Sequence, residues 1–202
     1  ITHFRIGREK VWMKNFENEG STLWNINSEN EMIQDSIFRR GQNALLHIRS
    51  PESPNNIVTN LEDRLPFDNQ KQHSLHGYIK TENAKNVSIE ARLSIGRTGE
   101  SLITVSIEDS VSGSFNWKKY WNDIPYTEEA EFFDIRSNSD IPDSGLAYSW
   151  FDDVGFIEWD TLKLITEYPI SINYPNDYDY IQFYHDQEQT YYFGLELKNV
   201  IL

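Results

Sequence analysis

Apolar and polar residues alternate along much of this chain, and the pattern is clearest between positions 87 and 95. There, every second residue is apolar: Val87, Ile89, Ala91, Leu93 and Ile95. Because successive side chains of a β-strand point to opposite faces, this period predicts a strand that is buried on one side. The segment 102–109 alternates in the same way. Long stretches with the period of an amphipathic helix are missing.

The same criterion predicts strands along the whole chain. Segments rich in Gly, Pro, Asn, Asp and Ser separate them, as at 50–56, 96–99 and 137–140, and these residues favour turns. Strands at this spacing are typical of an antiparallel sandwich or barrel. We predict strands at 10–17, 23–28, 43–49, 73–81, 87–95, 102–109, 130–136, 146–159, 168–174, 178–185 and 190–198.

The chain has 202 residues, which is enough for one main domain with a substantial core. The pattern breaks mildly after Trp159, where a Tyr-rich tail with its own turns begins. We therefore predict a β-sandwich at 1–160 and a β-strand tail at 161–202. The tail is expected either to pack on the sandwich as a hairpin or to begin another module.

Charge narrows the range of partners. The 18 Lys and Arg residues face 32 Asp and Glu residues, which gives a net charge of −14. Nucleic acid and anionic membrane surfaces bind concentrated positive charge, so neither is expected as a partner. No apolar stretch is long enough for a transmembrane helix. The chain begins at Ile1 without a signal-type apolar run, so we expect a segment of a longer or processed polypeptide.

Three separated segments carry a family resemblance. They are Asn-Phe-Glu-Asn-Glu-Gly at 15–20, Gly-Tyr-Ile-Lys-Thr-Glu-Asn-Ala at 77–84 and Ala-Tyr-Ser-Trp-Phe-Asp-Asp-Val at 147–154. In this order and spacing, they resemble the jelly-roll carbohydrate-binding modules attached to xylanases and glucanases, within the galactose-binding-like sandwiches. The resemblance covers roughly residues 11–159. It implies a jelly roll with Greek-key connections that binds sugar in a secreted or cell-surface protein.

Asp152 suggests a metal site. Alternation on the strand 148–156 places it on one face with Trp150, Val154 and Phe156, and an ionised carboxylate beside apolar neighbours needs a partner. Arg39, Arg40 or Lys80 could pair with it, or it could cap a turn. The resemblance instead implies a structural calcium, for which oxygen ligands are suited. Carried onto this chain, the ligands are Glu17 and Asp152, with carbonyls near Glu19 and in the loop Gly41-Gln42-Asn43, and Asp153 as a substitute for Asp152.

Aromatic residues supply the candidates for sugar binding. We expect Trp12, Trp117, Trp150 and Trp159 to be buried in the core, because an indole buries a large apolar area. Trp24 and the pair Tyr120-Trp121 lie among polar neighbours, the pair in a predicted loop, and flat rings of this kind stack on pyranose rings. Arg92, on the polar face of its strand, is a further candidate because its planar guanidinium can bind two hydroxyl groups.

Catalytic motifs do not stand out. The five His residues show no metal-ligand spacing, and there is no Gly-x-Ser-x-Gly elbow, Walker motif or dinucleotide fingerprint. The absence of Cys removes disulfides, thiolate metal sites and Cys nucleophiles. We therefore predict a non-catalytic module that binds an oligo- or polysaccharide beside other domains of the same polypeptide. The main alternative is an interaction or spacer module without a sugar site, and a lyase or hydrolase on the same scaffold is a weaker one.

Overall fold

Antiparallel strands form the whole of the regular structure that the chain shows. The computed structural model describes residues 3–11, 16–17, 24–26, 30–53, 58–60, 64–107, 111–164, 166 and 180–184. Within these ranges there is no helix, and so none that could span a membrane. The strands are β1 (His3–Glu9), β2 (Trp24–Asn25), β3 (Glu31–Gln34), β4 (Ala44–Arg49), β5 (Val58–Asn60), β6 (Leu65–Pro66), β7 (Gln72–Ser94), β8 (Ile103–Ser106), β9 (Val111–Ile124), β10 (Phe132–Asp140), β11 (Ala147–Trp159), β12 (Lys163–Leu164) and β13 (Tyr180–Tyr184).

Two sheets pack against each other. Sheet A has the order β3-β4-β11-β7-β9, and β1 pairs with the end of β11 beyond β4. Sheet B has the order β2-β5-β10-β7-β8, with β6 also paired to β10. This arrangement confirms the predicted all-β antiparallel sandwich.

The long strand β7 belongs to both sheets. Residues up to Ala84 pair with β11 and β9. Residues from Lys85 onward pair with β10 and β8, and Val87 also pairs with Val111 of β9. Asn83 and Asn86 adopt positive φ angles of 51° and 46° between the two halves, a conformation that Asn tolerates better than most residues. The strands predicted at 73–81 and 87–95 are therefore one bent strand.

In the second half of β7, the buried residues are those that the alternation in the sequence predicts. Val87, Ile89, Ala91 and Leu93 are fully buried, whereas Ile95 lies beyond the end of the strand and is exposed. From the opposite sheet, Phe156 stacks on Phe133 with 4.0 Å between ring centroids. Because the two inner faces meet so closely, large side chains from both sheets fill one continuous core.

Several strand boundaries differ from the prediction. The first described strand is β1 at His3–Glu9. Part of the predicted strand 10–17 lies outside the described residues, and its described residues 10, 11, 16 and 17 are not in a strand. The expected loop around Tyr120 lies inside β9. Strand β9 pairs with β7, and much of its length is exposed. The exposed positions carry polar residues such as Lys118, so the sequence does not show the pattern of a buried strand there. In the tail, β12 and β13 both pair with β1. The predicted strands 168–174 and 190–198 lie outside the described residues.

Candidate functional site

Trp24 and Tyr120 do not form an exposed sugar platform, and that prediction is wrong. Both side chains belong to the main core, with exposures of 4% and 5%. Trp24 packs on Phe16, with 4.9 Å between ring centroids. Tyr120 faces Gly77 across the β7–β9 pair and therefore points inward. The polar neighbours of Tyr120 in the sequence are exposed residues of β9, and an inward-pointing residue of a strand can have such neighbours.

Trp121 lies on the outer face of sheet A because the neighbouring Tyr120 points inward. It is half-buried and stacks on His76, with 5.6 Å between centroids and 18° between ring planes. Its Nε1 lies 3.3 Å from Oδ1 of Asp123, and its ring lies 6.1 Å from that of Trp159. Lys119 covers the ring at 5.2 Å. Trp121 is thus the predicted platform residue that remains partly accessible.

Arg92 is on the outer face of sheet B, where its guanidinium is already bound. Nε and Nη2 donate to the two carboxylate oxygens of Asp134 at 2.6 and 2.7 Å. Arg64 donates to the same carboxylate and also to the carbonyls of Gly96 and Gly99. The Arg92 guanidinium that we expected to bind sugar hydroxyls therefore holds a buried carboxylate. Arg64, which shares that carboxylate, fixes the loop after β7.

The remaining Trp residues only partly follow the prediction. Trp150 and Trp159 are buried, Trp117 is half-buried and Trp12 lies outside the described residues. Trp150 does not share a face with Phe156, because the register of β11 shifts between Asp152 and Gly155 and Asp153 has a positive φ of 48°. A β-bulge of this kind changes the face of the sheet to which the following side chains point. Trp150 and Asp152 therefore lie on the outer face, and Val154 and Phe156 lie in the core.

The predicted metal ligands Asp152 and Glu17 both contact the segment 39–43. Oδ2 of Asp152 accepts from the backbone N–H groups of Arg39 and Arg40, each at 2.9 Å. Oε1 of Glu17 accepts from the N–H groups of Gln42 and Asn43, at 2.5 and 2.8 Å. Burial raises the pKa of Asp152 to about 6, although these backbone hydrogen bonds lower it in part. Asp153 pairs with the guanidinium of Arg39.

The chemistry of this donor set fits a hard cation. Glu17 and Asp152 have carboxylate oxygens, each with more than one acceptor direction, and backbone carbonyls of the loop from Gly41 to Asn43 would have to be the further ligands. Gly41 has a φ of 76°, and a Cβ there would lie 2.3 Å from Oε1 of Glu17, so the loop closes tightly on that carboxylate. Glu19 lies outside the described residues. In the described part of the chain, no group of three His, Cys, Asp or Glu side chains is arranged to hold a metal ion, so carbonyls would have to complete the shell.

A groove of about 1040 Å³ opens at the end of sheet A where β7 begins. It lies between the start of β7, the end of β9 and the segment after β11, and the ring of Tyr126 on its border is 71% exposed. Polar side chains alternate with aromatic ones along its lining, which includes Arg5, Gln72, Asp123, Tyr126, Trp159 and Tyr184. This combination of rings and hydrogen-bonding groups is typical of a small-ligand site.

Most of the residues that line this groove were not predicted from the sequence. Arg5 and Gln182 are separated by 177 positions, yet Nε of Arg5 donates to Oε1 of Gln182 at 2.6 Å. The signal that was present is Pro125-Tyr126, a turn-forming Pro followed by an aromatic residue just after β9. Trp121, a predicted residue, contacts two residues that line the groove: Asp123, which accepts from its indole, and Trp159.

Ionisable groups beside the groove are mutually paired. Burial lowers the pKa of His73 to about 4, so this side chain is neutral at pH 7. Burial alone would raise the pKa of Glu158, but hydrogen bonds from Lys71 and Lys10 outweigh it and lower that pKa. The Nζ of Lys71 lies 2.8 Å from Glu158. The lysine that lines this part of the groove therefore already has a carboxylate partner.

No protein-family model matches the sequence, and no curated protein matches it either. The fold, in contrast, is similar to that of solved structures. TmCBM61 in complex with β-1,4-galactotriose matches with a TM-score of 0.53 at 13% identity, over 75% of this chain and 99% of that chain. The CBM22-1 xylan-binding domain of Xyn10C from Paenibacillus barcinonensis matches with a TM-score of 0.51 at 14% identity, over 76% of this chain and 92% of that chain.

A third similar structure is an enzyme. The enzymatically active domain of tailspike protein 4 from bacteriophage CBA120 matches with a TM-score of 0.52 at 12% identity, over 78% of this chain but only 21% of that chain. The similarity to whole binding modules and to a small part of a larger enzyme concerns the same β-sandwich. At these identities it is a similarity of fold, and the chain has the jelly-roll fold of carbohydrate-binding modules.

Proposed function

We propose that this chain is a non-catalytic carbohydrate-binding module of a larger extracellular protein, and that the groove at the start of β7 binds an oligo- or polysaccharide. The observation that carries the proposal is the exposed ring of Tyr126 beside amide and carboxylate side chains in one open groove. An aromatic ring stacks on the C–H face of a pyranose, while amides and carboxylates bind its hydroxyl groups. The jelly-roll fold supports this function, since one similar structure is a complex with a galactotriose and another is called a xylan-binding domain.

Charge in the groove favours a neutral sugar. Lys71 is paired with Glu158 and approaches Asp160 at 3.8 Å. The Nη2 of Arg5 lies 3.8 Å from Asp123, and the net charge of the chain is −14. An anionic polysaccharide would meet Asp123 and Asp160 in the groove, and two of the three cations that line it already have carboxylate partners.

A structural calcium ion is the second part of the proposal. Glu17 and Asp152 would be its carboxylate ligands, with carbonyls from Gly41 and Asn43 and from near Glu19 completing an oxygen shell. When bound, the ion would supply positive charge to the buried Asp152 carboxylate and fasten the segment 39–43 to β11. Its role would be to stabilise the fold, because both carboxylates already hold that segment through its backbone N–H groups.

One observation favours the alternative of an interaction or spacer module. Several rings on the outer face of sheet A are covered by cations of the chain itself: Arg39 lies over Tyr78, Lys80 over Trp150 and Lys119 over Trp121. A ring face that a cation covers is less open to a sugar. If the groove does not bind sugar either, the fold would serve only to connect or present other domains.

The experiment that separates the two functions is affinity electrophoresis on a panel of plant, algal and bacterial polysaccharides that includes xylan and β-1,4-galactan. We expect at least one neutral polysaccharide to retard the chain. Tyr126→Ala should weaken that binding by about 1 to 3 kcal/mol, as removal of an aromatic anchor typically does. Leu146→Ala, at another exposed apolar position, is the matched control and should bind normally. A chain that no panel polysaccharide retards would favour the spacer module.

A further inference from the structure

Arg5 connects the groove to four strands other than its own, namely β7, β11, β13 and, through Asp123, β9. Its guanidinium lies over the ring of Trp159 at 4.3 Å and over that of Tyr184 at 5.5 Å. It also donates to the side-chain carbonyls of Gln72 and Gln182. The Arg5 side chain is only 4% exposed, so it acts on the groove mainly through these neighbours.

The contact with Arg5 fixes the orientation of the Gln72 carboxamide. A guanidinium has only donors, so the atom of Gln72 that faces Arg5 must be Oε1. The Nε2 of Gln72, with its two hydrogen atoms, is then the other end of the amide. Gln72 is exposed and lines the groove. The groove therefore has a hydrogen-bond donor at this position.

Asp123 supplies the complementary acceptor. Its Oδ1 accepts from Oγ of Ser74 at 2.6 Å and from Nε1 of Trp121 at 3.3 Å, and it is also the atom nearest Arg5. Within the described part of the chain, the contacts of Asp123 are all made by Oδ1, so Oδ2 is the oxygen available to a ligand. The side chain is 57% exposed. Because Asp123 is paired with Ser74, two residues along β7 from Gln72, the donor and the acceptor are diagonal neighbours on one sheet face, about 7–8 Å apart.

We propose that Arg5 is the positioning residue of the sugar site, and that it presents Gln72 as a donor and Asp123 as an acceptor to the hydroxyl groups of a neutral sugar. This inference rests on the proposed function of the groove. A sugar hydroxyl both donates and accepts, so a fixed donor and a fixed acceptor select a ligand that can satisfy both. The carboxylate at Asp123 would repel a uronic acid or a sulfated sugar in the same place.

Strand β13 is part of this site. Oε1 of Gln182 accepts from Nε of Arg5 at 2.6 Å and from the hydroxyl of Tyr184 at 2.8 Å. Both residues belong to β13, which pairs with β1 beside Arg5. Strand β13 therefore helps to hold the guanidinium between its two rings and, through it, the orientation of Gln72.

Two substitutions separate a role in binding from a role in packing. Gln72→Glu keeps an oxygen acceptor for Arg5, and adds an ion pair, but removes the donor. Asp123→Asn keeps an oxygen for Ser74 and Trp121 but replaces the free acceptor with an amide donor. Both positions are exposed, so the melting temperature should stay near that of the parent chain. The affinity for the panel polysaccharide that retards the parent most should fall about tenfold or more for each, the usual effect of a lost hydrogen bond that leaves its partner unsatisfied.

Arg5→Lys completes the set, because it keeps the charge and removes the planar fork. We expect this variant to bind the polysaccharide more weakly than the parent chain does. Tyr184→Phe should cause a smaller loss of affinity, and Leu146→Ala should leave the affinity unchanged. If Gln72→Glu and Asp123→Asn bind like the parent while Tyr126→Ala does not, the role of Arg5 is refuted and the proposed function stands. If no panel polysaccharide retards the parent chain, both proposals fail together.

Discussion

His47 and Ser137 connect the two sheets through the interior: Nε2 of His47 lies 3.1 Å from Oγ of Ser137, and both side chains are fully buried. His47 belongs to β4 in sheet A, and Ser137 belongs to β10 in sheet B. On the other side of the ring, Nδ1 lies 3.0 Å from Oγ of Ser139 and 3.3 Å from the guanidinium of Arg49. Because Arg49 can only donate, Nδ1 accepts, and the imidazole is neutral with its hydrogen on Nε2.

The first prediction concerns the stability of the fold at acidic pH. Burial, followed by the charge of Arg49, lowers the pKa of His47 well below its usual 6.5, and burial lowers the pKa of His73 to about 4. Both groups titrate near 6.5 in the unfolded chain, so the native state binds fewer protons below that pH. Their contribution to stability is complete above pH 6.5 and is lost as the pH falls, at up to about 1.4 kcal/mol per pH unit for each group.

Urea unfolding at pH 7.5, 6.0 and 5.0 measures this effect. In a His47→Gln variant, the loss of stability between pH 7.5 and 5.0 should be smaller than in the parent, because one of the two groups no longer titrates. Equal slopes in the variant and the parent would contradict the assignment of His47 as a buried neutral base.

The second prediction compares two aromatic residues. Trp24 is buried in the main core against Phe16, so Trp24→Ala should lower the free energy of unfolding by about 3–5 kcal/mol, as large-to-small core substitutions do. Tyr126 is exposed, and Tyr126→Ala should change it by no more than about 0.5 kcal/mol. Chemical denaturation of the two variants is the measurement, and similar effects of both substitutions would show that Trp24 is not a core residue.

The third prediction concerns the contact between the two halves of β7. A Cβ at Gly77 would lie 2.4 Å from Cδ1 of Ile89, so Gly77→Ala should cost about 1–3 kcal/mol of stability by overpacking. Ile89→Val removes that Cδ1 atom. The double variant should therefore be more stable than the sum of the two single changes predicts. A thermal or urea unfolding cycle tests this coupling, and strict additivity would show that the two positions do not touch.

The fourth prediction concerns calcium. If Glu17 and Asp152 bind the ion in the native state only, added calcium should raise the melting temperature and a chelator should lower it, by mass action. Glu17→Gln and Asp152→Ala should abolish the response. Asp143→Ala is the control, since that carboxylate is exposed and pairs with Lys85. A melting curve that is the same with calcium and with chelator would mean that no calcium binds here and that the hydrogen-bond donors of the protein itself are the partners of the two carboxylates.

The sequence by itself determined the fold class. Alternation at Val87, Ile89, Ala91 and Leu93 predicts a half-buried strand from local information alone, because the period of a strand is a property of its own backbone. The same residues are fully buried in the structure. Three short segments at the right spacing were also enough to indicate a jelly roll, since the fold places its strands in a fixed order.

Only the tertiary structure decided which faces and which residues form the candidate site. The bulge beside Asp153 moves Trp150 away from the face of Phe156, and a one-residue shift of this kind leaves no trace in a period-two pattern. Pairing of β9 with β7 turns Tyr120 inward and Trp121 outward. Arg5 reaches Gln72 and Gln182 across strands far apart in the chain. Such contacts depend on strand order and register, which long-range packing sets, and for that reason no local pattern in the sequence could show them.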